Sequence, residues 1–287
     1  SDAPAWSFFY LYLRVWGVRR VVVHDHVPGE RTRPSMPRRW VKLLIQRLPW
    51  VTADHYIAVT GFVRRRMLEI ACIPAGKCSV APNGIVPIEL PVAEPGFARR
   101  EFGIPAERRI IVSTGRAALY KGIDFILDCM AELVHNRQVT ELHFLFCGDG
   151  PDLDRFIEQA SNSGIADYVT FAGRRSDIRT ILPSCDIGMH ASHGEVGYSL
   201  SILEYMSAGL TTLVPDRPST AEAIVHDENG LLFRPGDVRH ACDLLQRCLD
   251  EQVRDRLSGK AITTVAVNYS LEKTNKELVR ILDPLFS

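Results

Sequence analysis

Arg116 and Lys121 stand five residues apart in the stretch Thr114-Gly-Arg-Ala-Ala-Leu-Tyr-Lys-Gly122. Two cations in one strand–helix loop suit a diphosphate, because arginine offers a planar fork and lysine a point charge. A second stretch runs Gly194-Glu-Val-Gly-Tyr-Ser-Leu-Ser-Ile-Leu-Glu-Tyr-Met-Ser-Ala-Gly209. Its glycine-punctuated turn precedes an amphipathic run from Leu200 that Gly209 ends as a C-cap. Such a turn delivers backbone N–H groups and a helix N-terminus to one point, which binds phosphate. Glu204 falls about one turn into that helix, placed to accept from a ribose diol beside the phosphate. Gly148-Asp-Gly-Pro151 lacks the third glycine of the dinucleotide fingerprint, and no Walker loop occurs. The ligand implied is a nucleoside diphosphate held by neither standard phosphate motif.

These residues need a sheet edge to bring them together. Strand-like runs occur at Arg109–Ser113, Leu142–Cys147, Tyr168–Phe171, Asp186–His190 and Thr211–Val214. Helical patterns lie between them: Gly122–Val134, a run from Asp152, Asp177–Leu182 and the run from Leu200. Alternation at this spacing predicts a doubly wound parallel α/β sheet. Loops after its strands form one shared binding edge.

The 287 residues suggest two domains, and 46% hydrophobic with 24% charged residues is ordinary for a globular chain. No apolar run is long enough to span a bilayer, and no signal peptide is visible. The seven cysteines form no Cys-x-x-Cys and are odd in number. Reduced thiols in a cytoplasmic protein are expected, rather than a disulfide or zinc framework.

Zero net charge hides an asymmetry. Residues 1–88 hold 13 Lys and Arg against 5 Asp and Glu; the remainder holds 21 against 29. The basic front points to an anionic partner, either membrane headgroups at the inner face or a lipid-linked or phosphorylated acceptor, not nucleic acid. A solvated basic face explains the charge equally. Trp6 to Trp16 is crowded with aromatics and fits either an interfacial helix or a core helix. Arg20–His24 reads as a buried strand ending in His24-Asp25-His26, and a Pro/Arg-rich loop follows to Arg39. The histidines fit a ligand edge or a structural role, and no third cluster accompanies them as metal ligands. A basic helix is predicted over Arg39–Leu48, a strand over Ala53–Thr60 and a helix over Gly61–Ile70. Cys78–Ala81 is a further strand. Val86–Pro95 holds three prolines and reads as the interdomain linker.

In order along the chain stand Asn83-Gly-Ile, Thr114-Gly-Arg with Lys121-Gly, Gly148-Asp-Gly-Pro, Phe171-Ala-Gly, the Glu195…Glu204 block with Met-Ser-Ala-Gly, and Asn229-Gly-Leu. This ordered set resembles the retaining, nucleotide-sugar-dependent glycosyltransferases of the group 1, or family 4, type. The resemblance is close over residues 53–285 and looser over 20–52. It implies the GT-B fold of two Rossmann-like α/β domains. The divisions expected are a partial acceptor-side domain at 1–88, a nucleotide-sugar domain at 89–268 and a final helix at 269–287 crossing back. It implies that Gly115, Arg116 and Lys121 bind the donor diphosphate and that Glu204 holds the ribose. The loop amides of roughly Tyr198, Ser199 and Leu200 meet the distal phosphate, Gly197 belongs to the same donor-binding loop, and Gly173 and Arg174 border the base. Glu195 contacts the donor sugar, and His24, with His26 second, lines the reaction cleft. The donor is a UDP- or GDP-linked sugar, with no cofactor and no metal, and the acceptor is a glycan or lipid-linked precursor.

Three features depart from the family pattern. Eight residues rather than seven separate Glu195 from Glu204, so the loop bulges or Val196 takes the first position. Arg217-Pro-Ser stands where Gly-Gly precedes Glu222. The front domain is short, which implies a fragment. Two rivals follow: a non-catalytic nucleotide-sugar-binding remnant or regulatory partner, and a nucleotide-sugar epimerase of similar fold. Sequence upstream of Ser1 discriminates the first; sugar epimerised without acceptor identifies the second.

Overall fold

The structure, a computed structural model, describes residues 5–90, 94 and 96–286. Residues 91–93 and 95 of the predicted linker lie outside the described residues.

The front of the chain forms a three-stranded parallel sheet. Helix α1 (Phe8–Val15) leads to β1 (Val22–Asp25), α2 (Met36–Ile45), β2 (His55–Ala58), α3 (Gly61–Glu69) and β3 (Cys78–Val80). The strand order is β1-β2-β3, with Val23 opposite Tyr56 and Ile57 opposite Ser79. β2 is buried throughout, whereas β1 lies at the edge of the sheet and only Asp25 within it is buried. This corrects the expectation of a buried strand over Arg20–His24: the strand begins two residues later and His24 is exposed. α2 also begins earlier than predicted. Pro37 sits in its first turn, where the missing N–H costs nothing and the fixed φ favours the helix.

The rest of the chain builds a six-stranded sheet, all parallel. Its elements in order are α4 (Phe97–Phe102), β4 (Arg109–Thr114), α5 (Ile123–Ala131), β5 (Leu142–Cys147), α6 (Leu153–Asn162), β6 (Val169–Phe171) and α7 (Ile178–Ile181). Then come β7 (Ile187–Met189), α8 (Leu200–Ser207), β8 (Thr211–Pro215), β9 (Leu231–Phe233), α9 (Val238–Arg247), α10 (Glu251–Asn268) and α11 (Leu271–Phe286). The sequence reading assigns no strand after Val214; β9, α9 and α10 are additions.

Strand order β6-β5-β4-β7-β8-β9 reverses direction between β4 and β7. A reversal leaves a crevice at the carboxyl ends of those two strands, where open α/β sheets bind ligands. Side chains alternate across the sheet. Ile111, Phe144 and Phe146 pack under α5, α6 and α9, while Ile110, Val112 and Leu145 face α4, α7 and α8. α8 and α10 share a further cluster with Val214.

The two sheets are joined by specific contacts. Tyr198 Oη donates to the Asn83 carbonyl at 2.9 Å and Thr274 Oγ1 to the Pro82 carbonyl at 2.7 Å. Ile85 N–H donates to the Tyr269 carbonyl at 2.9 Å. Glu222 accepts from the amides of Gly61 at 2.6 Å and Phe62 at 2.5 Å, at the start of α3.

Candidate functional site

The crevice at the β4/β7 reversal is an open cleft of about 560 Å³, lined by Gly115, Arg116, Gly148, Asp149, Arg174 and Glu204 among others. Two close approaches shape it. A Cβ on Gly148 would collide with the Gly115 carbonyl, and one on Gly150 would lie 2.5 Å from the Ala117 carbonyl. The glycines of Gly148-Asp-Gly-Pro therefore let two strand-end loops touch. Ala117 N–H donates to the Asp149 carbonyl at 2.9 Å and Asp152 N–H to the Ala117 carbonyl at 3.1 Å. Asp152 also accepts from Leu119 N–H at 2.8 Å, which fixes the turn into Lys121.

Tyr205 anchors the end of β4. Its hydroxyl lies 2.7 Å from Thr114 N and 3.0 Å from Thr114 Oγ1, and burial pushes it up to about 12. The Tyr205 ring covers Gly188 so closely that any Cβ there would clash. Arg116 extends from this anchored loop into solvent and makes no ion pair among the described residues. Arg174 is likewise exposed and unpaired, just after Gly173, whose φ of +66° sets the turn. Arg175 is pinned instead, at 2.6 Å from Asp177 and 2.9 Å from Glu101. The cleft thus presents two arginines with unused donors.

Glu204 lines the same cleft from α8. Burial raises its pKa, opposed by Arg179, and among the described residues its carboxylate receives no hydrogen bond. Ser199 caps α8 through its side chain, accepting from Ser201 N–H. The amides of Tyr198, Ser199 and Leu200 have no acceptor among the described residues. The Tyr198 side chain points away into the core, against Tyr269 at 5.1 Å, so only its backbone faces a ligand.

Lys121 and Glu195 meet at 2.6 Å. His190, at the end of β7, lies 3.1 Å from the same Glu195 oxygen and is buried. Burial pushes the Glu195 carboxyl up, but the His190 hydrogen bond and charge, with those of Lys121, outweigh it and hold it down at about 2. Within the longer spacing to Glu204, Gly197 adopts a φ of +118°. A Cβ there would meet Thr60 at 2.8 Å. Thr60 Oγ1 donates to the Val196 carbonyl. It is the Glu195 carboxylate that reaches Lys121.

The loop after β1 closes over this point. Gly29 N–H donates to the Glu195 carbonyl at 3.0 Å. That loop is held by a buried pair: Arg66 lies 3.1 Å from Asp25 and donates to the Gly29 carbonyl at 3.0 Å. His24 and His26 sit ring to ring, with centroids 4.3 Å apart. Although His24 is exposed, partial desolvation of its ring lowers its pKa, the neighbouring His26 adds to this, and Asp25 opposes it.

The structure brings Gly115, Arg116, Arg174 and Glu204 into one cleft, and Lys121, Glu195 and the Gly197–Leu200 turn beside it. His24 stands on the facing sheet. Sequence reasoning missed His190, Asp25 and Arg66. His190 ends a strand five residues before Glu195, a polar residue at a strand terminus, which was the available signal. Arg66 was indistinguishable from its neighbours Arg64 and Arg65.

The family profile described as "Glycosyl transferases group 1" matches residues 96–263, and that described as "Glycosyltransferase Family 4" matches residues 1–87. An uncharacterized glycosyltransferase of Bacillus subtilis, YqgM, is 28% identical over 220 residues, covering 75% of this chain and 56% of its own length. The chain spans about half the length of the curated relatives it matches. Among solved structures, a glycosyltransferase from Rickettsia africae superposes with a TM-score of 0.84 at 19% identity, over 100% of this chain and 76% of that one. Anabaena HepE in complex with UDP gives a TM-score of 0.83 at 20% identity, over 96% and 76%. A crystal of HepE with UDP-glucose gives 0.77 at 20%, over 93% and 72%.

Proposed function

The chain belongs to the group 1 glycosyl transferases, and from that premise we propose that it moves a sugar from a nucleoside-diphosphate sugar to an acceptor with retention of configuration. The carrying observation is the cleft itself. Unpaired Arg116 and Arg174, the Lys121 ammonium, the open amides of Tyr198 to Leu200 and the Glu204 carboxylate converge at one sheet edge. Arg116 and Lys121 meet the diphosphate; Lys121 spends one donor on Glu195 and keeps two. Glu204 accepts from the ribose diol, and Arg174 borders the base. The Anabaena protein's UDP and UDP-glucose complexes support this choice of donor.

In the reaction the carbon–oxygen bond between sugar and diphosphate breaks. The cations and the α8 N-terminus stabilise the charge that develops on the leaving diphosphate. The diphosphate oxygen takes the acceptor hydroxyl's proton as the new bond forms on the same face. Glu195, held ionised, contacts the donor sugar, and His24 lines the acceptor side. The cations do the charge stabilisation that a metal supplies elsewhere, so no divalent ion is required. The acceptor is a glycan or lipid-linked precursor.

Calorimetry with UDP and GDP in the presence of EDTA tests the donor site. Saturable binding of one of them is expected; binding of neither, or binding restored only by manganese, overturns it. The anomeric configuration of any transferred sugar, read by NMR, tests retention.

A further inference from the structure

We propose that Thr60, on the front sheet, is a positioning residue for the donor: it sets the turn whose amides hold the distal phosphate. The inference rests on the donor site proposed above and adds to it a residue from outside the cleft. Thr60 stands between β2 and α3 and is buried. A hydroxyl has one hydrogen to give and lone pairs to accept with. Thr60 Oγ1 uses both. It accepts from Val63 N–H at 3.1 Å, which caps α3, and it donates to the Val196 carbonyl across 136 residues.

The second of these bonds fixes a peptide that is otherwise free to turn. The carbonyl and N–H of a trans peptide point in opposite directions across its plane. With the Val196 carbonyl held by Thr60, Gly197 N–H faces the other way and donates to the Ser219 carbonyl at 2.9 Å. Glu222 N–H donates to the Gly197 carbonyl at 3.0 Å, and the Val196 side chain packs against the front core cluster. Gly197, at a φ of +118°, has no side chain to restrict rotation, so its orientation comes from these partners. The seat is tight, since a Cβ on Gly197 would lie 2.8 Å from Thr60 Oγ1. The amides of Tyr198, Ser199 and Leu200 follow directly and inherit this orientation. Thr60 acts through the turn and not on the nucleotide itself.

A residue that orients only the distal-phosphate amides matters to a diphosphate and not to a monophosphate. Calorimetry with UDP against UMP, and with GDP against GMP, reads that difference. The wild type is expected to bind one diphosphate more tightly than its monophosphate. Thr60→Val keeps the shape and loses the hydroxyl. Its diphosphate affinity should fall about tenfold while its monophosphate affinity stays within about twofold. Thr60→Ser keeps the hydroxyl and should match the wild type. Thr60→Val also removes the α3 cap, so a second variant separates the two effects. Gly197→Ala strains the same turn, leaves that cap intact and should give the same pattern. Equal loss of diphosphate and monophosphate would mean a structural role alone and overturns the proposal. So does unchanged diphosphate affinity in both variants, or no recovery in Thr60→Ser. A wild type that binds neither diphosphate overturns the donor-site reading itself, and this inference with it.

Discussion

The two sheets are the same kind of object covered to different extents. In the six-stranded sheet, β4 and β5 lie between two helical layers, and nearly every side chain in both strands is buried. In the three-stranded sheet a single core cluster gathers around Tyr56, Val63 and Met67, and β1 at its edge exposes His24. The proposed donor cleft stands on the first kind of support and the loop after β1 on the second. Apolar packing fixes where Arg116 and Glu204 sit. A buried ion pair, Asp25 with Arg66, fixes where the Gly29 loop sits. The halves should therefore respond differently to substitution.

The largest expected difference concerns ligand affinity. Arg116→Ala and Lys121→Ala each remove a charge-assisted hydrogen bond to a diphosphate, costing about 2 kcal/mol each. The double variant should then lose UDP or GDP affinity by about a thousandfold in calorimetry. His24→Ala changes only the facing sheet. It should leave nucleotide affinity unchanged while lowering kcat by about a hundredfold. Equal loss of affinity in both would erase the division of labour. Unchanged affinity in Arg116→Ala and Lys121→Ala would remove the diphosphate assignment.

The same contrast governs what the sequence made legible. Strands β4 and β5 are continuous apolar runs bounded by polar residues, so both were readable within a residue. β9 is three residues long and follows a turn, too short for a period to show. α9 and α10 follow it without a pattern that the rhythm of the earlier units anticipated. At the candidate site, Arg116 and Lys121 were legible from the loop that follows a strand, and Glu204 from its place one turn into the helix after the glycine-punctuated turn. His190 and the Asp25–Arg66 pair were not. Arg66 meets Asp25 across 41 residues, whereas His190 lies only five from Glu195 and reads from the sequence as the end of a strand rather than as a polar partner.

A smaller effect lies at the junction of the sheets, in Glu195. Its folded pKa of about 2 is below the ordinary 4.5. A carboxyl depressed by folding stabilises the protein above its unfolded value, and that contribution is lost as pH falls through the folded value. Wild-type stability should drop by about 3 kcal/mol between pH ~4.5 and ~2 from this group. Glu195→Gln should lack that component, and denaturant melts across this range compare the two. Parallel curves would mean that Lys121 and His190 do not hold the carboxylate in solution as they do here.

The smallest effect expected belongs to Glu222, which fixes the two sheets together through backbone amides. Its oxygens accept from Gly61 and Phe62 at the first turn of α3, where unpaired amides and the helix dipole favour an anion. Arg65, 3.9 Å away and largely exposed, adds little. Glu222→Ala leaves both amides without their acceptor at a site water reaches, so the cost should be about 1–2 kcal/mol. The consequence should be local. Amide exchange at Gly61 and Phe62 should speed up by about tenfold, while β4 and β5 keep their protection, because their cover does not involve this contact. Faster exchange spreading through β4 and β5 would mean that the six-stranded sheet depends on its smaller neighbour. The contrast in apolar cover would then not be what separates the two halves.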